Sequence, residues 1–379
     1  MFKIIIILIS INIITPNELM CKSPEEKSVD WYIMTLFPES STEKILKYSY
    51  IDNTMNKLIF KEHTDETFPP NYITSYILEN EKKKNINYFF WNDDITAKGE
   101  KKGKKCPNNK AHAKGTLVYN EKNGVLLQHS LPRFPTRTKK NKVLIEMPSN
   151  TGIFGQHFLC ISISKKTSEK IVELLNYIQA KINKSVLKDF VNEEPNEWVI
   201  SLINEEYKKT FPEFLISEIS TLKGKKFKIF SKSYLYDEIP FDNTLRQEYK
   251  DSFFIRTWTK PSLAPELCEE YNILNVLTVK FGDFLYTKGK EHSKWAVSEN
   301  KNIICFSDLN HCESQAIRGG SIFCMEDDVI SNIYRNAIVE KGSCDDDNNN
   351  KNKSFLNWIG MLIKDFYYAT LYYLVKMIY

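Results

Sequence analysis

Three things are scarce in this chain, and each scarcity excludes something. None of its eight cysteines stands in a Cys-x-x-Cys, the spacing typical of structural zinc sites, so they read as disulfide partners rather than as metal ligands. The formal net charge is only +4 over 379 residues, too small an imbalance to say much about partners. Long apolar runs are missing too: the run from Ile4 to Ile14 is too short for a confident membrane span. The apolar stretch at the other end is broken by Lys364-Asp365, whose insertion would cost roughly a few kcal/mol per charge.

What is present points to a large folded body. A 42% hydrophobic and 13% aromatic content can fill a sizeable core, and the length suggests two lobes of about 150 to 180 residues each. Met1-Phe2-Lys3 followed by Ile4 to Ile14 has the basic start and short greasy core of a signal peptide over residues 1–20. Cleavage is expected between Thr15 and Met20, although no small-x-small site fixes it. A secretory route, with a secreted or lysosomal destination, agrees with reading the cysteines as disulfides. The sequons at Asn183 and Asn352 are compatible with that route.

Val29 to Tyr50 and Thr116 to His129 run β-branched and aromatic and read as strands, with Asn123-Gly124 as a hairpin turn. From Ser168 to Asn183, Ile171, Val172, Leu174, Leu175, Ile178 and Ile182 recur at helical spacing, with Thr167 or Ser168 as the cap. That helix would close a first lobe over residues 21–185. A second lobe over 186–344 would hold strands at Lys226 to Ser231, Leu274 to Phe281 and Ile303 to Ser307, with a last helix from Asp327 to Val339. The expectation is a mixed α/β (α+β) fold, each lobe a mixed β-sheet flanked by helices. Residues 345–354 form an Asp/Asn-rich linker. Residues 355–379 form an apolar tail that packs on the domain or meets a membrane surface.

The most informative pattern is a repeated His-x-Lys, at His112-Ala113-Lys114 and His292-Ser293-Lys294. In extended chain, residues i and i+2 point to one side, so each His and its Lys can reach a single phosphate. An imidazole can serve as nucleophile or general acid, and a lysine is a positive charge for phosphate oxygens. Two such motifs can cut a phosphodiester without a metal or a cofactor. Lys98, Lys101, Lys102, Lys104, Lys105 and Lys110 crowd before the first motif, in a stretch whose Gly, Pro and Asn make it a loop. Such a loop is either a solvated run or a polyanion-attracting mouth. His63, His157 and His311 are taken as solvent-facing or structural, Asp93 as a strand-end turn residue, and Trp295 as packing.

These residues resemble the deoxyribonuclease II family, including its secreted nematode-type members. The resemblance runs from Val29 to Cys344. It rests on Val29-Asp30-Trp31, Tyr88-Phe89-Phe90-Trp91-Asn92-Asp93, His112-Ala113-Lys114-Gly115, His129-Ser130-Leu131-Pro132-Arg133-Phe134-Pro135, Gly155-Gln156, His292-Ser293-Lys294-Trp295, Ser307-Asp308-Leu309-Asn310 and Arg318-Gly319-Gly320. It implies a phospholipase D-like two-lobed fold and metal-independent endonucleolytic hydrolysis of DNA at acidic pH, leaving 3′-phosphates. It also implies disulfides Cys21 to Cys160, Cys268 to Cys344 and Cys305 to Cys324.

By the same resemblance His112, Lys114, His292 and Lys294 are the catalytic set, with Asp308 and Asn310 orienting an imidazole or binding phosphate. His129 and Asn92, within matching segments, join the substrate-binding or orienting group. The chain departs from the family pattern at Ala296, Ser307 and His311-Cys312. The two remaining cysteines, Cys106 and Cys312, each lie near one motif, and a bridge between them is a further expectation. The other reading is a nuclease-fold effector that holds DNA while cutting poorly; a phospholipid-cleaving relative fits the chemistry but not the flanking segments. Whether one chain or a homodimer is the working unit stays open.

Overall fold

The computed structural model describes residues 19–38, 46–62, 68–80, 86–94, 110–134, 136–137, 143–144, 151–182, 197–207, 212–259 and 262–344. The apolar start, the lysines from 98 to 105, Cys106, both sequon asparagines, the linker and the tail therefore lie outside the described residues.

Seven strands make the first sheet: β1 (Trp31–Leu36), β2 (Lys47–Asp52), β3 (Ile59–Glu62), β4 (Asn87–Asn92), β5 (Lys114–Tyr119), β6 (Asn123–His129) and β7 (Gln156–Ser164). Their order is β3-β2-β1-β7-β6-β5-β4, and every pairing is antiparallel. The second sheet has nine, β8 (Phe214–Ser220), β9 (Lys226–Lys232), β10 (Phe253–Arg256), β11 (Ile273–Phe281), β12 (Phe284–Thr287), β13 (Trp295–Ser298), β14 (Ile303–Ser307), β15 (Gly320–Glu326) and β16 (Ile338–Lys341). They run β8-β9-β15-β14-β13-β10-β11-β12, with β16 also on β11 and one parallel pair, β10 with β11.

The inner strands are apolar on both faces because both faces are covered. Along β1, Trp31 and Ile33 enter a central core, whereas Tyr32, Met34 and Leu36 enter an outer one with Ile73 and Ile77 of helix α1 (Pro69–Asn80). Along β14, Ile304 and Phe306 join the same central core and Ile303 and Cys305 a third cluster behind the second sheet. The central core thus joins both sheets. It also takes in Ile171, Val172, Leu174 and Leu175 of α2 (Lys165–Tyr177), Val199 and Leu202 of α3 (Glu197–Asn204), and Ile330 and Tyr334 of α4 (Asp328–Asn336). Trp295 is fully buried there, edge-on to Tyr334 at 5.0 Å, so it is packing as expected.

Local chemistry moved several boundaries. Helix α2 begins three residues before Ser168, because Ser164 is the residue whose hydroxyl accepts from the Thr167 N–H. The hairpin turns at Asn120 to Asn123 rather than at Asn123-Gly124: Asn120 caps the turn by accepting from the N–H groups of Lys122 and Asn123, and Gly124 pairs with Tyr119 inside the ladder. Helix α4 stops at Asn336, and its expected last turn becomes strand β16. All three implied disulfides form, Cys21 with Cys160, Cys268 with Cys344 and Cys305 with Cys324. Cys312 is a buried free thiol beside Ser314 rather than half of a bridge; burial pushes its thiol pKa up and leaves it less reactive.

Candidate active site

In the first half of the site, Asn92 at the end of β4 pairs with Lys114 at the start of β5. The next residue, Asp93, therefore lies beside the His112 to Lys114 segment. Its carboxylate is salt-bridged to Lys114 Nζ, and Oδ2 is 3.8 Å from His112 Nε2 and 3.4 Å from Arg318 Nη2. Burial opposes ionisation of Asp93, but the charges of Lys114, His112 and Arg318 outweigh it and hold the carboxyl below the usual carboxylate range. His112 Nδ1 faces Gln315 Oε1, and its backbone N–H donates to Gly319 O at 2.8 Å. Arg318 donates to the carbonyls of Lys110 at 2.7 Å and Ala111 at 3.0 Å, so the second sheet grips the first motif. Gly319 is obligatory here, since a Cβ would collide with the Ile178 carbonyl.

The second motif is held from below and from the opposite sheet. Gly155 bridges to Glu291, and the His292 N–H donates to Gly155 O at 2.9 Å. Glu291, with no exposed surface, accepts from Arg256 Nε at 3.0 Å and from the Ser293 N–H at 2.9 Å. His292 Nδ1 lies 3.0 Å from Ser130 O. A carbonyl can only accept, so Nδ1 carries the hydrogen and Nε2 keeps its lone pair. Lys294, 1% exposed, donates from Nζ to His292 O at 3.0 Å.

A directed hydrogen-bond chain then crosses between the sheets. The Lys294 N–H donates to His157 Nδ1 at 3.1 Å, His157 Nε2 donates to Gln128 Oε1 at 2.9 Å, and Gln128 Nε2 donates to Asp308 Oδ1 at 3.1 Å. Asp308 Oδ2 accepts from the Ser321 N–H at 3.0 Å. Because its first donor is a backbone amide, the chain requires a neutral His157. Burial, reinforced by Lys294, keeps that imidazole pKa well below its ordinary value.

The two motifs meet electrostatically. Burial lowers the pKa of His112, and Lys114, Lys294 and Arg318 lower it further against the pull of Asp93. Burial lowers His292 as well, followed by Lys294, Lys114 and His112. Lys294 is pushed down to about 7 by burial and then by Lys114. Asp308 is pushed up to about 7 by burial, against its hydrogen bonds to Gln128 and Ser321. The structure therefore brings His112, Lys114, His292, Lys294 and Asp308 into one buried polar centre. Lys114 is neutralised by Asp93, whereas Lys294 donates to a carbonyl.

Two expected residues sit differently. His129 is on the other face of β6 from Gln128, between Phe134 and Phe158 at 5.3 and 5.6 Å, with neither ring nitrogen in full hydrogen-bond geometry to a described residue. Asn92 clamps the turn after β6, donating to Phe134 O at 3.1 Å. Asn310 is buried with its Oδ1 unpartnered among the described residues. His311 is structural, held by Asn275 Oδ1 at 2.9 Å and Asp242 Oδ1 at 2.8 Å. Sequence reasoning missed Gln128, Asp93, Glu291, Arg256 and the role of His157. The signal for Gln128 was its alternation with apolar Leu127 on a strand buried on both faces.

Two facing sheets that each deliver one His-x-Lys to a shared buried centre define a two-sheet α+β protein with a duplicated His/Lys site. The chain belongs to the deoxyribonuclease II family, whose model, described as Deoxyribonuclease II, matches residues 20–344. It is 25% identical to Plancitoxin-1 of Acanthaster planci, over 90% of this chain and 97% of that one. It is 25% identical to deoxyribonuclease-2-beta of Mus musculus, over 86% and 93%. Over 62% and 61% it is 29% identical to deoxyribonuclease-2 of Caenorhabditis elegans.

Proposed function

We propose that the protein is a secreted or lysosomal acid endodeoxyribonuclease that hydrolyses DNA phosphodiesters without a metal and leaves 3′-phosphates. The observation that carries this reading is the free Nε2 lone pair of His292, fixed by the Nδ1 bond to Ser130 O, facing a centre that holds a second histidine and two lysines. His292 Nε2 attacks phosphorus in line as His112 Nε2 protonates the departing 5′ oxygen; the N–P bond forms and the P–O5′ bond breaks. Neutral His112 then takes a proton from water, whose oxygen displaces His292 and frees the 3′-phosphate. Lys294 and Lys114 hold the non-bridging oxygens. Protonation of His112, opposed by burial, supports an acidic optimum, and Asp93 favours the charged form. The signal-like start and three disulfides support the secretory route.

The test is plasmid cleavage by the disulfide-intact protein at about pH 5 in excess chelator, the pH chosen for imidazole titration, beside His292→Ala. Cleavage by the first and not the second supports the reading. A strict magnesium requirement would overturn it. A gel shift without cleavage would favour the DNA-holding effector.

A further inference from the structure

We propose that Lys232, which bonds to none of the four His and Lys side chains of the two motifs, is a positioning residue for His112: its ammonium organises the turn from Glu313 to Gly319, and the turn holds the imidazole. The role given to His112 rests on the nuclease reading above. Lys232 ends strand β9, pairs with Gly320 in the ladder and has no exposed surface. A lysine in such a place normally has a carboxylate partner, because an uncompensated buried charge is costly. Lys232 instead spends its three donors on one turn, on the carbonyls of Gln315 at 3.2 Å, of Ala316, and of Arg318 at 2.9 Å. Burial pulls its pKa down to about 8, against the nearby charges of Asp237 and Glu238, so the ammonium is charged throughout the acid range.

The turn needs that cation. Its own bonds, from the Gln315 N–H to Cys312 O, the Ala316 N–H to Glu313 O and the Arg318 N–H to Gln315 O, wind it tightly, and its carbonyls converge on Lys232 Nζ. Buried carbonyls without a donor are unfavourable, so losing the ammonium would unwind the turn. From the same turn Gln315 Oε1 meets His112 Nδ1, Gly319 O accepts the His112 N–H at 2.8 Å, and Arg318 donates to the carbonyls of Lys110 and Ala111. One ammonium on the second sheet thus underlies the bonds that hold the first motif. An amide oxygen only accepts, so a fixed Gln315 keeps a hydrogen on His112 Nδ1 and leaves Nε2 to serve the departing oxygen.

The experiment compares Lys232→Met, Gln315→Leu and the double variant, with two readouts taken well below the unfolding midpoint. The first is the ring nitrogen shifts of isotopically labelled histidines at about pH 7, where burial keeps the His112 ring neutral. The wild type should carry the His112 hydrogen on Nδ1 and Lys232→Met should show mixed tautomers, with the His292 signals unmoved; His112→Gln assigns the peaks. The second is oligonucleotide cleavage. In Lys232→Met, kcat should fall about 10- to 100-fold with KM within about twofold, as a displaced general acid predicts. The double variant should lose far less than the product of the two single losses, since both act on one imidazole. Lys232→Gln keeps two donors and should lose less than Lys232→Met, and it carries the test if the latter does not fold. A lower midpoint with the wild-type tautomer and kcat would mean that Lys232 only supports the fold, and would overturn the proposal. So would losses that multiply in the double variant. A tautomer change in a protein whose wild type cuts no DNA would keep the positioning role and remove the hydrolytic reading; cleavage with an unmoved tautomer would do the reverse.

Discussion

Glu291 and Arg256 form an ion pair with no exposed surface on either side chain, Nε to Oε2 at 3.0 Å. The carboxylate also accepts backbone N–H groups of Ser293 and His292, at 2.9 and 3.2 Å, and so fixes the path of the second motif. Arg256 is anchored in turn on the carbonyls of Val276 at 3.1 Å and Tyr286 at 3.3 Å. Removing one partner strands the other charge in the core. Arg256→Met is expected to cost about 3–5 kcal/mol of stability, seen as a lower unfolding midpoint. An unchanged midpoint would mean that the ion pair does not hold the second motif in place.

Asp93 favours protonation of His112 through a separation of 3.8 Å. Asp93→Asn should lower the His112 pKa, so the limb of the pH–rate profile that falls as pH rises moves to lower pH. Cleavage near pH 5 should drop about tenfold or more, as weakened general acid catalysis predicts. A profile displaced the other way would contradict the assignment of His112 as the acid.

His129 lets stability be separated from activity. Burial lowers its pKa from 6.5 to about 3, so the folded state favours the neutral ring. That contribution is complete above pH 6.5 and is lost as pH falls towards 3. His129→Phe, placing a third ring between Phe134 and Phe158, should stabilise the protein by about 2 kcal/mol more at pH 4.5 than at pH 7. Thermal melts at the two pH values decide this, and DNA cleavage should persist.

His157 accepts from Lys294 and donates to Gln128. His157→Phe leaves both groups buried without partners, at about 1–3 kcal/mol each. The stability loss should come with a fall in kcat larger than any rise in KM, because the Lys294 backbone shifts while the substrate cleft remains. Steady-state kinetics on a defined oligonucleotide would show the split.

Much of the site was legible because its signals are local. Two His-x-Lys tripeptides put like residues on one side of extended chain, and the β-branched runs read as strands wherever both faces are buried. Misreadings arose where a neighbour in space outweighed a neighbour in sequence. Asp93 reads as a turn residue until Lys114 and Arg318 are beside it, and His129 carries the family-like segment although Gln128 is the residue on the site face.

By itself the sequence determined the strands, the capping side chains of Ser164 at a helix and Asn120 at a hairpin, and the chemistry of the two motifs, since each depends on residues a few positions apart. The tertiary structure decided which atoms are protonated and where charge rests. The His292 tautomer follows from a carbonyl 162 residues away, and the His112 environment from Gln315, 203 residues away. Burial and long-range charge set proton affinity, and only the packing of the two sheets brings those groups together.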